Sequence, residues 1–181
     1  MKPTESLVHE HQVIMLVVAA AEREADRIEN TGQLRADRVE KMVDFFRNFA
    51  DRCHHGKEEK HLFALLQSRG MSADSGPIAV MLSEHNRGRA LVSAISRALQ
   101  ATKAGHKAAP KEIARDLRAY VELLRGHMDK ENGALFPMSD RLLTEADQVA
   151  LAEAFENVEA EEMGQGTHEK YHRLAHELDE D

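Results

Sequence analysis

Two stretches of the chain, HHGKEEKHLF at 54–63 and HMDKENGALFP at 127–137, share the pattern His-x-x-Lys-Glu-x-x-x-Leu-Phe. The pattern aligns His54 with His127, Lys57 with Lys130 and Glu58 with Glu131. Upstream stand two Glu-His pairs, Glu10-His11 and Glu84-His85, 43 residues before His54 and 42 before His127. One hairpin is thus written twice. Whatever the first half folds into, the second must match, and the two must cover each other's apolar faces.

The periodicity makes those hairpins helical. Leu7, Ile14, Val18, Ala21, Ala25 and Ile28 lie on one face of a first helix that ends near Asn30-Thr31-Gly32. Val39, Met42, Val43, Phe46, Phe49, Ala50 and Cys53 mark a second, over roughly 34–69, stopped by Arg69-Gly70. Gly76-Pro77 opens a third, with Ile78, Met81, Leu82, Val92, Ile95 and Leu99, closing near Gly105. Pro110 starts a fourth, carrying Ile113, Leu117, Tyr120, Val121, Leu124, Met128 and Leu135, and Pro137 is expected to end it. Thr144 is an N-cap for a fifth helix to about Met163, and a short helix with an acidic tail follows. The fold class is all-α: an up-down-up-down four-helix bundle over residues 1–140, with a C-terminal helical extension over 141–181 that packs on or caps it.

The chain holds eleven histidines, and the helical phase separates them. His11 continues the row of Leu7, Ile14 and Val18, whereas His9 lies about 200° away at ~100° per residue and faces outward. His85 follows Met81 and Leu82, and His127 follows Leu124 with Glu131 one turn on. Counted from Phe46 at ~100° per residue, His54 lies about 80° from the stripe and His55 about 180°, so His54 with Glu58 faces inward in preference to His55 with Glu59. His61, about 60° from the stripe by the same count, reads as a packing residue near the site.

In His-x-x-x-Glu the two side chains stand one turn apart on one face, so both reach a single ion without bending the backbone. Two such helices, with one His from each of two others, bring four imidazoles and two carboxylates to one interior. That exceeds a tetrahedral zinc site and suits a pair of ions bridged by carboxylates. A lone inward histidine is commonly only a hydrogen-bonded core residue. Two buried carboxylates beside four imidazoles, however, are costly without a cation.

EHQVI, CHHGKEEKHLF, EHNRGR and HMDKENGALFP together resemble the hemerythrin-like family, the HHE cation-binding domains, over roughly residues 4–140. The resemblance implies a four-helix bundle with a non-haem di-iron centre, ligands His11, His54, Glu58, His85, His127 and Glu131, and bridging by Glu58 and Glu131. Manganese or zinc would suit the same donors. Oxygen-carrying members place His-x-x-x-His on the third helix and an Asp five residues past the fourth helix's His; Arg89 and Asn132 stand there in this chain. The fit is to bacterial and regulatory members, with dioxygen, peroxide or nitric oxide as ligand in sensing, scavenging or stress response. A di-iron oxidoreductase or peroxidase-like enzyme and an iron-handling or structural metal protein are the alternatives. Because some relatives ligate through the residue after the second helix's His, His55 is a seventh candidate if the helix loosens at Gly56.

His168, His172 and His176 recur every four residues in the tail. They read as a solvated amphipathic helix; the alternative is a lid, hinged at Gly164 and Gly166, that places His168 or Glu162 over the metal site. Lys57 and Lys130 read as solvated, with their repetition leaving charge balance behind the ligands as the alternative, and Cys53 as an inert packed thiol, with a redox partner of the centre as the alternative. A net charge of −8 without a Lys/Arg run disfavours nucleic acid. No run approaches the ~18 apolar residues of a membrane span. With a single cysteine and no apolar signal region, the chain reads as cytoplasmic.

Overall fold

A computed structural model describes residues 1–107 and 109–180. Its secondary structure is entirely helical, in six runs: α1 (Pro3–Thr31), α2 (36–68), α3 (Gly76–Lys103), α4 (109–142), α5 (145–162) and α6 (Thr167–Glu180). The expected stops operate. Gly32 closes α1 at φ 70°, a left-handed turn that costs glycine nothing, and its N–H bonds the Ile28 carbonyl. Thr144 caps α5 reciprocally with Asp147: each side chain accepts from the other's backbone N–H.

Pro137 does not end α4. The turn Glu131–Leu135 is a π-turn, in which the Phe136 N–H bonds the Glu131 carbonyl five residues back. This wider turn relieves the clash a proline ring makes with the carbonyl four residues behind it, and the helix continues to Leu142.

Cross-helix ion pairs run in opposite order along neighbouring helices. Glu22 meets Arg125, and Asp26 and Glu29 meet Arg118, between α1 and α4. Between α2 and α3, Glu40 meets Lys103 and Asp51 meets Arg89. Two apolar clusters form the core. One gathers Val17, Val18, Met42, Phe46, Phe49, Ile95, Leu117 and Tyr120 with Tyr171, Ala175 and Leu178 of α6. The other gathers Leu7, Leu62, Phe63, Ile78, Met81, Leu135 and Phe136 with Leu151 and Phe155 of α5. On each of the first four helices the inward histidines and glutamates fall between the two clusters, so the polar site is closed by apolar layers at both ends.

The tail helix is amphipathic, with Glu169, Arg173, His176 and Glu177 exposed, but its apolar face is packed away from solvent. Tyr171, Ala175 and Leu178 are buried against α1 and α2, the Tyr171 hydroxyl donates to Asp44 at 3.1 Å, and Arg23 donates to the Asp179 carbonyl at 2.9 Å. Gly164 (φ 89°) and Gly166 (φ 80°) make the bend that folds α6 back.

Candidate metal centre

The site is built where α2 and α4 unwind. Phe46–His55 and Glu58–Leu62 in α2, and Glu131–Leu135 in α4, bond i→i+5. Such a turn holds more residues than an α-turn, so each residue advances by less than the ~100° assumed from sequence. Nine such shortfalls between Phe46 and His55 rotate His55 from the outer face to the inner one, where it is only 4% exposed. The loosening lies upstream of Gly56, which itself is α-helical together with Lys57. His54 and His55 both point inward, to opposite sides of Glu58.

Seven side chains converge in two overlapping groups. His11, His54, Glu58 and Glu131 each offer a donor atom within 4.8 Å of the others, and so do His55, Glu58, His85 and His127. His11 Nε2 lies 2.9 Å from His54 Nε2, and His85 Nε2 lies 3.1 Å from His127 Nε2. Each carboxylate reaches both groups. Glu58 Oε1 is 3.4 Å from His54 Nε2 and Oε2 is 3.3 Å from His85 Nε2. Glu131 Oε2 is 3.2 Å from His11 Nε2 and Oε1 is 3.1 Å from His127 Nε2.

The Nδ1 atoms fix the tautomers. His54 Nδ1 donates to Glu10 at 2.7 Å, His85 Nδ1 to Glu59 at 2.7 Å, His127 Nδ1 to Glu84 at 2.9 Å and His11 Nδ1 to the Asn132 side-chain oxygen at 2.8 Å. With Nδ1 so engaged, the Nε2 atoms face one another and the carboxylates, an arrangement that needs positive charge among them: protons on His11 and His127, which Glu131 favours against burial, or a cation. Two imidazole nitrogens bound side by side to one ion at ~2.1 Å stand about 3 Å apart, which matches both histidine pairs. Among the described residues the four oxygens of Glu58 and Glu131, both fully buried, meet no group other than these imidazole nitrogens. Burial and the facing Glu131 push Glu58 well above the usual carboxylate range. Burial holds His54 down at about 4 and His55 well below its usual value. The donor set fits a pair of cations.

The residues behind the rings follow the repeat and escaped the sequence reading. Glu10 and Glu84 are repeat partners, and each takes the Nδ1 of the histidine from the next helix together with the repeated lysine, Lys57 or Lys130. Glu59 and Asn132 are also repeat partners, behind His85 and His11. The signal was the Glu-His spacing itself, which recurs along with the ligands.

Lys57 is not solvated. It has no exposed surface, and it donates to Glu10 at 2.5 Å and also to Glu159 of α5. Lys130, its counterpart, has a side chain 48% exposed. His168 joins neither of these two groups but stands in a third, with Glu10 and Glu159, whose donor atoms lie within 4.8 Å of one another. Its Nε2 lies 3.5 Å from Glu10 and 3.9 Å from Glu159, behind His54 rather than over it. Glu162 sits on the surface of α2, its carboxylate on Lys60 and its backbone carbonyl on Arg52. His9 is exposed. His61 is half-buried beside the second apolar cluster.

A model of the hemerythrin HHE cation-binding domain matches residues 2–139. The chain belongs to this hemerythrin family. An uncharacterised protein of Mycobacterium bovis is 26% identical over 161 residues, which cover 89% of this chain and 62% of that relative. Uncharacterised proteins from two strains of Mycobacterium tuberculosis match to the same extent. The chain therefore spans less than two thirds of the length of these curated relatives. No solved structure matches. Among the described residues no helix is long and apolar enough to cross a membrane. The residues that this hemerythrin-family chain gathers around Glu58 and Glu131 are candidate ligands for the cation its family binds.

Proposed function

We propose that the chain holds two non-haem iron ions in a carboxylate-bridged centre, within an up-down-up-down bundle formed by α1 to α4, and that this centre binds or reacts with dioxygen, peroxide or nitric oxide. His11 and His54 would hold one ion and His55, His85 and His127 the other, with Glu58 and Glu131 able to serve both. The observation that carries this reading is the pair of fully buried carboxylates whose oxygens face imidazole nitrogens in two groups at once. The opposed order of the cross-helix ion pairs supports the bundle. Residues 141–181 form the extension, which lies against the bundle on the His54 side.

Iron of this kind supplies exchangeable coordination and accessible oxidation states. The protein's part is to exclude water with the Phe63 and Phe136 rings, stacked at 5.9 and 5.5 Å on His85 and His11, and to fix each ring through its Nδ1 bond. A reducing cytoplasm agrees with the single buried thiol, Cys53, whose pKa burial raises to about 12.

Elemental analysis of the purified protein, with absorption spectra under oxygen, azide, peroxide and nitric oxide, tests the proposal. Two iron ions per chain and a ligand-dependent visible band are expected, and Glu58→Ala or Glu131→Ala removes both ions. Full metal content in both variants, or a spectrum indifferent to every ligand, overturns it.

A further inference from the structure

Of the five rings in the two donor groups, four are tied through Nδ1: His54 to Glu10 at 2.7 Å, His85 to Glu59 at 2.7 Å, His127 to Glu84 at 2.9 Å and His11 to Asn132 at 2.8 Å. His55 is held more loosely. Its Nδ1 lies 3.4 Å from Asp51 Oδ1, beyond the usual length of such a bond, and Arg89 Nε already donates to that oxygen at 2.9 Å.

Beside this ring a chamber of about 270 Å³ opens between α2 and α3, with far more room than one imidazole needs. Phe46 and Val92 give it an apolar wall, and Asp51 and Ser93 bring oxygens to it. Both contacts to Asp51 fall on Oδ1, so among the described residues its Oδ2 is open, and the Ser93 hydroxyl has no hydrogen bond. A ring turned into the chamber therefore finds acceptors for its N–H and apolar surface for its faces. What it leaves behind is a working set of donors. His85, His127 and Glu58 remain, and Glu131 Oε1 lies 3.1 Å from His127 Nε2. These two imidazoles and two carboxylates match the set that His11 and His54 form in the other half. The repeat adds a separate argument. The counterparts of His55, Asp51 and Ser93 are Met128, Leu124 and Ala19, so the oxygens that would receive a displaced ring stand on the side that has the additional ring and are missing from the other.

We propose that His55 is an exchangeable donor: its ring turns out of the group into the chamber, and a small ligand with a free donor pair enters by the same opening to take its position. One donor pair replaces another, and no electron or proton is transferred. The exchange rests on the two-ion reading of the centre; the exit of the ring does not.

Stopped-flow mixing of the purified full chain with azide tests the exchange. A ring that is out of its group about 10% of the time or less makes azide bind about tenfold or more slowly in the wild-type chain than in His55→Ala, where the position stands open. Ser93→Phe, which fills the chamber, slows azide about tenfold further at the same iron content. Equal azide rates in the wild-type chain and His55→Ala, or a wild-type rate that Ser93→Phe leaves unchanged, overturn the exchange while the two-ion reading stands. Brief treatment of the same full chain with diethyl pyrocarbonate, mapped by peptide fragmentation, reads the exit of the ring whether or not iron is bound. His55 is expected to react about tenfold faster than the adjacent His54, and Ser93→Phe to erase the difference. Equal reaction of the two rings overturns the proposal. If the chain carries no iron, the two-ion reading fails, whereas selective reaction of His55 still supports the exit of its ring.

Discussion

The two halves of the centre repeat the same parts in different surroundings. In the first, Glu10 joins His54 to Lys57, and α5 and α6 cover the assembly with Glu159 and His168, so that the lysine is lost from solvent. In the second, Glu84 joins His127 to Lys130 in the same way, but among the described residues no further helix reaches them and the lysine is half exposed. The inner faces differ too: His55 adds a third imidazole to one position, whereas Met128, its counterpart, leaves the other with two. A repeat thus gives two donor sets of one design: what packs over each half decides how charge is balanced there, and the exchange of His55 for Met128 decides how many imidazoles each group holds.

The largest expected difference lies in the lysines. Lys57→Ala leaves Glu10 buried with only histidine partners, and should cost about 3 kcal/mol or more of unfolding free energy. Lys130→Ala, at a solvent-screened pair, should cost under about 1 kcal/mol. Denaturant unfolding of the two variants side by side checks this, and equal costs would remove the asymmetry.

Exchanging the unequal inner pair sharpens the comparison. His55→Met should lower the affinity for one of the two ions at least tenfold, read by competition with a chelator, because that position loses a donor. Met128→His should instead cost about 1–3 kcal/mol of stability, since Leu124 stands where Asp51 faces His55 Nδ1, and Met15 where Arg89 holds that carboxylate.

Acid should separate the same pair. The folded chain holds His55 neutral well below its usual value of 6.5, and burial holds His54 down at about 4. The unfolded chain therefore takes up protons first as pH falls. Stability is lost below about 6.5 by ~1.4 kcal/mol per pH unit for each such group, and for His54 the window closes at about 4. His11 and His127 act oppositely, because Glu131 holds them above their usual range against the effect of burial; they are unchanged in the variant. In the metal-free chain, prepared with a chelator, His55→Met should make the slope between pH 6.5 and 5 shallower by about one proton, measured by denaturant unfolding across that range.

The smallest effect is expected at the cap of the covering segment. Thr144→Ala should cost about 1 kcal/mol through the lost reciprocal bonds to Asp147, read as a modest fall in melting temperature. Metal content should not change.

Helix starts and stops were legible because Gly32, Pro77, Pro110 and Thr144 act through their own backbone or nearest neighbours. The six side chains His11, His54, Glu58, His85, His127 and Glu131 were legible as inward-facing because they sit on apolar stripes and recur in the repeat. His55 was not, since its direction depends on the winding of α2, which an angle of ~100° per residue presumes rather than reveals. Nor was the continuation past Pro137, which rests on the same kind of wide turn. Lys57 and the tail helix were misplaced for another reason: a charged residue at helical spacing reads as solvated until a distant segment covers it.

The amino-acid sequence by itself determined the helical hairpin, its duplication and the four-residue spacing that sets His and Glu on one face, because these follow from local geometry and from the periodicity of apolar side chains. The tertiary structure alone decided that α2 unwinds to admit His55, and that α5 and α6 fold over the His54 half. Those outcomes depend on contacts between residues more than a hundred positions apart, such as Lys57 with Glu159 and Arg23 with Asp179, and no local pattern encodes them.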